Sequence, residues 1–154
     1  MSKEKQIGYA YVLGQMALVL FIILVPMRTD WPGWTLVTVA AWAIFLVGLA
    51  IMGIGSLGLG TALTAHPEPN GRSELKTGGL YAYVRHPIYL GVLVTMLGVT
   101  IRTRSFVALG GYIALSALLH FKANWEEQRL RNHFSDYDEY AKNVGRLIPG
   151  VDKG

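Results

Sequence analysis

From Gln6 to Met27 no residue carries a formal charge, and from Trp31 to Ala65 none does. Each run is long enough to cross a hydrocarbon core about 30 Å thick, which takes roughly 20 helical residues. Two shorter uncharged runs follow, Pro87 to Ile101 and Ser105 to Phe121. The pattern predicts an all-α, polytopic membrane protein with four transmembrane helices, at about 7–26, 34–56, 87–103 and 105–124. Soluble helices of this length would show a polar face, and these do not. No convincing small-residue cleavage site comes before Pro26, so the first run reads as a membrane helix rather than a signal peptide. The whole chain, 1–154, reads as a single integral-membrane domain.

Punctuation between the runs supports these limits. Trp31 and Trp34 read as interfacial anchors around a Pro32-Gly33 turn. Pro87 suits the first turn of a helix, and Ser105 suits an N-cap. Gln15 reads as an interhelical hydrogen bond. Gly48 reads as close helix packing, whereas Gly55, Gly58 and Gly60 suit either packing or a ligand lying on backbone. Residues 57–86 form a loop, polar from Thr64 onward, and residues 125–154 a C-terminal segment. In that segment Leu130, Phe134, Tyr137, Ala141 and Val144 step by four, three, four and three, one face of an amphipathic helix. Its simplest reading is a helix lying on lipid, with Ser135 and Asp138 as a capping box that starts a new turn.

Charge sets the expected orientation. The N-terminus, the middle loop and the tail share one side of a four-helix topology. They hold eleven of the fourteen Lys and Arg residues, against Arg28, Arg102 and Arg104 on the other side. That bias puts both termini in the cytoplasm. The net charge of +4 then reflects topology and anionic lipid, and no nucleic acid is needed to explain it. With no cysteine in the chain, thiolate catalysis and Cys-based metal sites are excluded.

Two clusters fall at the cytoplasmic surface. Arg85 and His86 stand just before Pro87, where the amides of Ile88, Tyr89 and Leu90 are expected to be unpaired and to favour an anion. Glu126 and Glu127 follow directly on the fourth helix. Helices three and four are antiparallel with a short connection, so a cationic pair faces an anionic pair across one mouth. That pairing suits a salt bridge, or a site that grips a zwitterion. Arg85 on lipid phosphate and His86 as a simple cap are the plainer readings.

The two clusters also sit inside longer motifs. "GGLYAYVRHPIYLG" resembles the first motif of the isoprenylcysteine carboxyl methyltransferase and phospholipid methyltransferase superfamily, and "EEQRLRNHFSDYDEYAKNVGRLIP" resembles the second. The Pro-x-Pro of "HPEPN" is similar to bacterial members, while Ser135 stands where the superfamily usually has glycine. The resemblance implies an integral-membrane methyltransferase of a prokaryotic inner membrane, with its active site facing the cytoplasm. It implies S-adenosyl-L-methionine as cofactor and S-adenosyl-L-homocysteine as product. The cofactor site it implies draws on Tyr81, His86, Ile88, Tyr89, Leu90, Glu126, Glu127, Phe134, Tyr137, Arg146 and Leu147. His86 and the first amides of helix three suit a carboxylate, Glu126 and Glu127 suit ribose hydroxyls or an ammonium, and Tyr81, Tyr89, Phe134 and Leu147 suit an adenine wall. Arg85 or Lys122 could orient an acceptor carboxylate or phosphate, and Glu126, Glu127 or His86 could take a proton from an acceptor amine. The expected partners are the bilayer and a lipophilic small-molecule acceptor, prenylcysteine-like or a lipid headgroup, with no metal.

Three rival classes are weighed against this. A small four-helix transporter needs an ionisable group buried mid-membrane, which helices one and two lack. An NADPH-dependent membrane reductase would share the architecture, but only Gly78-Gly79 hints at a phosphate loop. A metal enzyme would need paired ligands, and His66, His86, His120 and His133 show no such spacing.

Overall fold

The computed structural model describes residues 3–60 and 75–154. It contains five α-helices: α1 (Lys3–Leu24), α2 (Thr35–Leu59), α3 (Pro87–Thr103), α4 (Phe106–His133) and α5 (Tyr137–Asn143), with a 3₁₀ turn at Gly79–Ala82 before α3. Three of them, α1, α2 and α4, are long and apolar enough to cross a membrane. α3 is apolar but has only 17 residues, about 26 Å of helix at 1.5 Å per residue and the lower end of what spans a bilayer. Among the described residues there is no strand, only one parallel bridge between Val84 and Gly145. Arg72, His66 and the Pro67-x-Pro69 pattern lie outside the described residues.

α2 packs along α3, α1 along α4, and α3 against α4. A core of Ile22, Val92, Met96, Leu115 and Leu119 joins α1, α3 and α4. Small residues set the α2–α3 approach. A Cβ at Gly91 would stand 2.6 Å from the Met52 amide nitrogen, one at Gly98 2.6 Å from the Ala41 carbonyl, and one at Gly48 would overlap the Thr95 backbone. Gly48 is therefore packing, as expected from its place in an apolar helix. Gly55 and Gly58 also lie under side chains, Pro87 and Tyr81 respectively. Gly48→Ala is expected to destabilise the fold by about 1–3 kcal/mol, because backbone rather than a flexible side chain opposes the new methyl. Thermal unfolding in detergent would read this, with Gly53→Ala, which meets nothing within 4 Å, as the silent control.

Local signals mark the helix ends. Ser105 caps α4, its hydroxyl accepting from the Val107 amide at 3.2 Å. Pro87 occupies the first turn of α3. Two expectations fail. α4 does not end near Asn124 but runs unbroken to His133. Nothing between Lys122 and His133 breaks a helix, so losing apolar character there marks the end of the apolar part and not the end of the helix. The Ser135–Asp138 capping box does not form: Asp136 is the N-cap of α5, with no side-chain cap bond. The Asp138 carboxylate is taken by Arg131 at 2.9 Å instead.

The tail does not simply lie on lipid. Tyr137, Ala141 and Val144 are buried, so the amphipathic face docks onto the protein itself. It reaches α3 through a short extended pairing. The Arg85 amide donates to the Gly145 carbonyl at 2.9 Å and the His86 amide to the Arg146 carbonyl at 3.1 Å. Glycine is required at 145, where a Cβ would overlap the Ile148 carbonyl oxygen.

Candidate functional site

Leu115, Leu119, Ala123 and Glu127 follow one another at every fourth position of α4, and all four are fully buried. The periodicity of a core stripe thus delivers a carboxylate to the interior. Arg85 meets it from the segment before α3, with Nε at 3.0 Å from Oε1 and Nη2 at 3.2 Å from Oε2. Arg146 meets it from the tail in the same two-toothed manner, both contacts at 3.1 Å. His86 Nε2 lies 3.1 Å from Oε1; facing an acceptor-only carboxylate, it must carry the proton. The two motifs, 41 residues apart in the chain at His86 and Glu127, therefore converge on one side chain.

The remaining donors of Arg85 are also engaged. Nη1 donates to the carbonyls of Ala141 and Val144, and Nη2 also donates to that of Asp152. A guanidinium has five N–H groups, and all five are used. Arg85 has none left to orient an acceptor, and it instead ties α3 to the tail. Glu127, with both oxygens occupied, is not placed to serve as a base. Arg146 keeps spare donors, since its Nη1 makes one ion pair, to Asp152 at 3.1 Å. Burial works against the Arg146 charge, but the hydrogen bonds to Glu127 outweigh it and raise its pKa.

Beside this locked cluster lies a second, less saturated one. The Tyr89 hydroxyl donates to Glu126 Oε1 at 2.6 Å. The Tyr89 ring stacks on His86, centroids 5.2 Å apart and planes 6° from parallel. Lys122 Nζ lies 4.8 Å from the Tyr89 ring centroid and donates to Gln15 Oε1 at 3.0 Å. Lys122 is buried, and its contacts join α4 to α1 through Gln15 and to α3 through Tyr89. Gln15 makes the interhelical bond its sequence position suggests. Glu126 Oε2 is 3.8 Å from His86 Nδ1, beyond hydrogen-bond length, and so retains accepting capacity.

The other expected residues divide. Leu90 is not a free amide: it donates to the His86 carbonyl at 3.1 Å, the first bond of α3. That leaves Ile88 and Tyr89 as the amides the helix does not use. The Tyr81 ring covers Gly58 and its hydroxyl donates to the Gly55 carbonyl at 3.3 Å, which turns it toward α2. The Tyr137 hydroxyl is buried and has no hydrogen-bond partner among the described residues, within electrostatic reach of Glu127 and Arg85. Phe134 is half-buried across the ring of His133, and Leu147 is half-buried next to Arg146. Tyr140, Gly145 and Asp152 join the site without having been singled out in the sequence. Burial pushes the Tyr140 hydroxyl up to about 12, so it stays protonated and donates to the Tyr81 carbonyl. Their roles are tertiary; Gly145, within "VGR", carried the only local signal.

Residues 34–137, more than half of the chain, match the family model described as phospholipid methyltransferase. A protein-S-isoprenylcysteine O-methyltransferase of Schizosaccharomyces pombe is 38% identical over 77 residues, 49% of this chain and 33% of that one. The nickel-cobalt-cadmium resistance protein NccN of Alcaligenes xylosoxydans xylosoxydans is 25% identical over 141 residues, 89% of this chain and 64% of its own length. The cobalt-zinc-cadmium resistance protein CzcN of Cupriavidus metallidurans is 26% identical over 124 residues, 79% of this chain and 55% of its own. The chain thus spans from a third to just under two thirds of the length of these curated relatives.

Proposed function

The chain belongs to the phospholipid methyltransferase family, and from that premise we propose that it transfers a methyl group from S-adenosyl-L-methionine to a lipophilic acceptor. In this reading it is one domain that crosses a prokaryotic inner membrane four times, with both termini and the active site on the cytoplasmic side. The supporting observation is the convergence of both motifs on Glu127, beside a cluster that keeps unused polar capacity. α4 supports the placement. Its 28 residues measure about 42 Å, so its last turns overhang a 30 Å core and lift Glu126 and Glu127 to the surface.

The residues fit such a cofactor. A zwitterionic amino acid needs donors for its carboxylate, and Arg146 and the amides of Ile88 and Tyr89 offer them. An ammonium or a ribose diol needs an acceptor, and Glu126 offers one. The buried Tyr137 hydroxyl, unpartnered among the described residues, is a further polar group such a cofactor could engage. When bound, the cofactor supplies a methyl group activated by a sulfonium for in-line displacement. The protein's part is then alignment and exclusion of water. The Arg85–Glu127–Arg146 cluster holds the walls in register, and Lys122, fixed by Gln15 and Tyr89, is the cation best placed to face an acceptor's anionic group. Isothermal calorimetry on the purified protein is expected to give micromolar or tighter binding of S-adenosyl-L-methionine or S-adenosyl-L-homocysteine. Binding of NADPH with no binding of either would overturn the reading in favour of a reductase.

A further inference from the structure

About 30 Å along α4 from Glu127, at its first turn, the protein has a second polar feature. Two connections are strapped together there. The Arg28 amide donates to the Thr103 carbonyl at 2.8 Å, the Asp30 amide to the Arg104 carbonyl at 3.2 Å, and the Phe106 amide to the Asp30 carboxylate at 2.8 Å. Trp31 packs edge-on against Phe106 at 5.4 Å. Between the end of α1 and the start of α4 runs an open groove of about 290 Å³ lined by Phe21, Leu24, Val25, Pro26 and Val107 together with the polar Arg28 and Ser105.

The charges at this end are unequal. Arg28, Arg102 and Arg104 stand against Asp30, the one acid of the two connections. Arg102 is held over the Trp42 ring at 5.1 Å, and Arg104 donates to the Trp31 carbonyl at 3.4 Å with its guanidinium against Gly33. Asp30 is engaged by the Phe106 amide. The Arg28 side chain is exposed and makes no hydrogen bond or ion pair among the described residues. An exposed arginine thus lines a largely apolar groove. This complements an amphiphile with one anionic group and a hydrocarbon chain. Three arginines against one acid leave this end with a net positive charge, which favours an anionic headgroup over a zwitterionic one.

We propose that this groove is a binding site for an anionic phospholipid, with an acyl chain along Leu24, Val25 and Val107 and its phosphate at the Arg28 guanidinium. The site is independent of the methyl-transfer reading. It also accounts for arginines at the end of the protein where the charge bias of the chain is weakest.

The test is native mass spectrometry of the full chain released from micelles holding equal amounts of phosphatidylglycerol and phosphatidylcholine. Wild type is expected to retain phosphatidylglycerol about fivefold over phosphatidylcholine, the worth of one arginine at an anionic lipid surface. Arg28→Gln is expected to bring the ratio to about one, while Arg102→Gln leaves it unchanged. Val107→Trp, which fills the groove, is expected to lose the retained lipid. Equal retention by wild type, or a preference that survives Arg28→Gln, defeats the proposal. So does a lipid-free dimer that Val107→Trp dissociates, which would make a second copy of the chain the occupant.

Discussion

Glu127→Gln is expected to destabilise the protein by about 3–5 kcal/mol, the usual penalty for leaving buried charge unpaired, and to abolish binding of S-adenosyl-L-methionine. The Glu127 side chain is fully buried and receives Nε and an Nη from each of Arg85 and Arg146. An amide of the same shape keeps one acceptor. It turns its NH₂ toward one edge of both guanidinium groups, so donor meets donor twice. It also removes the negative charge that the buried Arg85 and the partly buried Arg146 share. Arg85 would lose its hold on the segment before α3, and with it the pairing of Arg85 and His86 to Gly145 and Arg146. For a chain of this size the loss corresponds to a fall in melting temperature of roughly 6–20 °C. Thermal unfolding in detergent, followed by calorimetry on whatever stays folded, reads both effects. An unchanged melting temperature would falsify the view that this carboxylate organises the site. Arg85→Lys is a useful companion: it keeps the charge but cannot span Glu127 and the Ala141, Val144 and Asp152 carbonyls, so it should lose most of the same stability.

This expectation separates two residues that the sequence presents as equals. Glu126 and Glu127 are adjacent, and charge alone cannot rank them. Helical phase can. Glu127 continues the stripe Leu115–Leu119–Ala123, whereas Glu126 lies four residues after Lys122 on the neighbouring face. The information was in the spacing, but it becomes readable only when α4 is continued past the apolar run to His133. The starts of α3 and α4 were legible because Pro87 and Ser105 act locally. The destination of the tail was not. Its apolar face is equally compatible with lipid and with protein, and what selects protein is Arg85, more than 50 residues away at the Ala141 and Val144 carbonyls. For the same reason Arg85 read from sequence as a cation free to meet a ligand. Only the folded tail shows that its donors are spent. Leu90 failed as a free amide for a simpler reason, since the N-cap carbonyl of any helix accepts from the fourth residue after it.

Glu126→Ala is expected to behave in the opposite way to Glu127→Gln: folding nearly unchanged, and cofactor affinity lowered roughly 10–100-fold, the range for a lost hydrogen bond to a charged group. The Glu126 side chain is 13% exposed, so its removal leaves no sealed cavity; buried Lys122 loses a nearby negative charge but keeps its bond to Gln15 and its place over the Tyr89 ring. Tyr89 loses its acceptor, but its ring keeps the stack on His86 and the contact with the Lys122 ammonium. The informative comparison is Tyr89→Phe. It deletes only the hydroxyl donated to Glu126 and keeps the stack and the cation over the ring. If Glu126 touches the cofactor directly, Tyr89→Phe leaves the carboxylate and its charge in place, and affinity falls far less than in Glu126→Ala. If Glu126 acts only by orienting Tyr89, the two variants lose affinity equally, and the assignment of Glu126 as a cofactor contact is wrong. Calorimetry with S-adenosyl-L-homocysteine on both variants decides between these outcomes. It does so without an acceptor, because S-adenosyl-L-homocysteine has no methyl group to transfer.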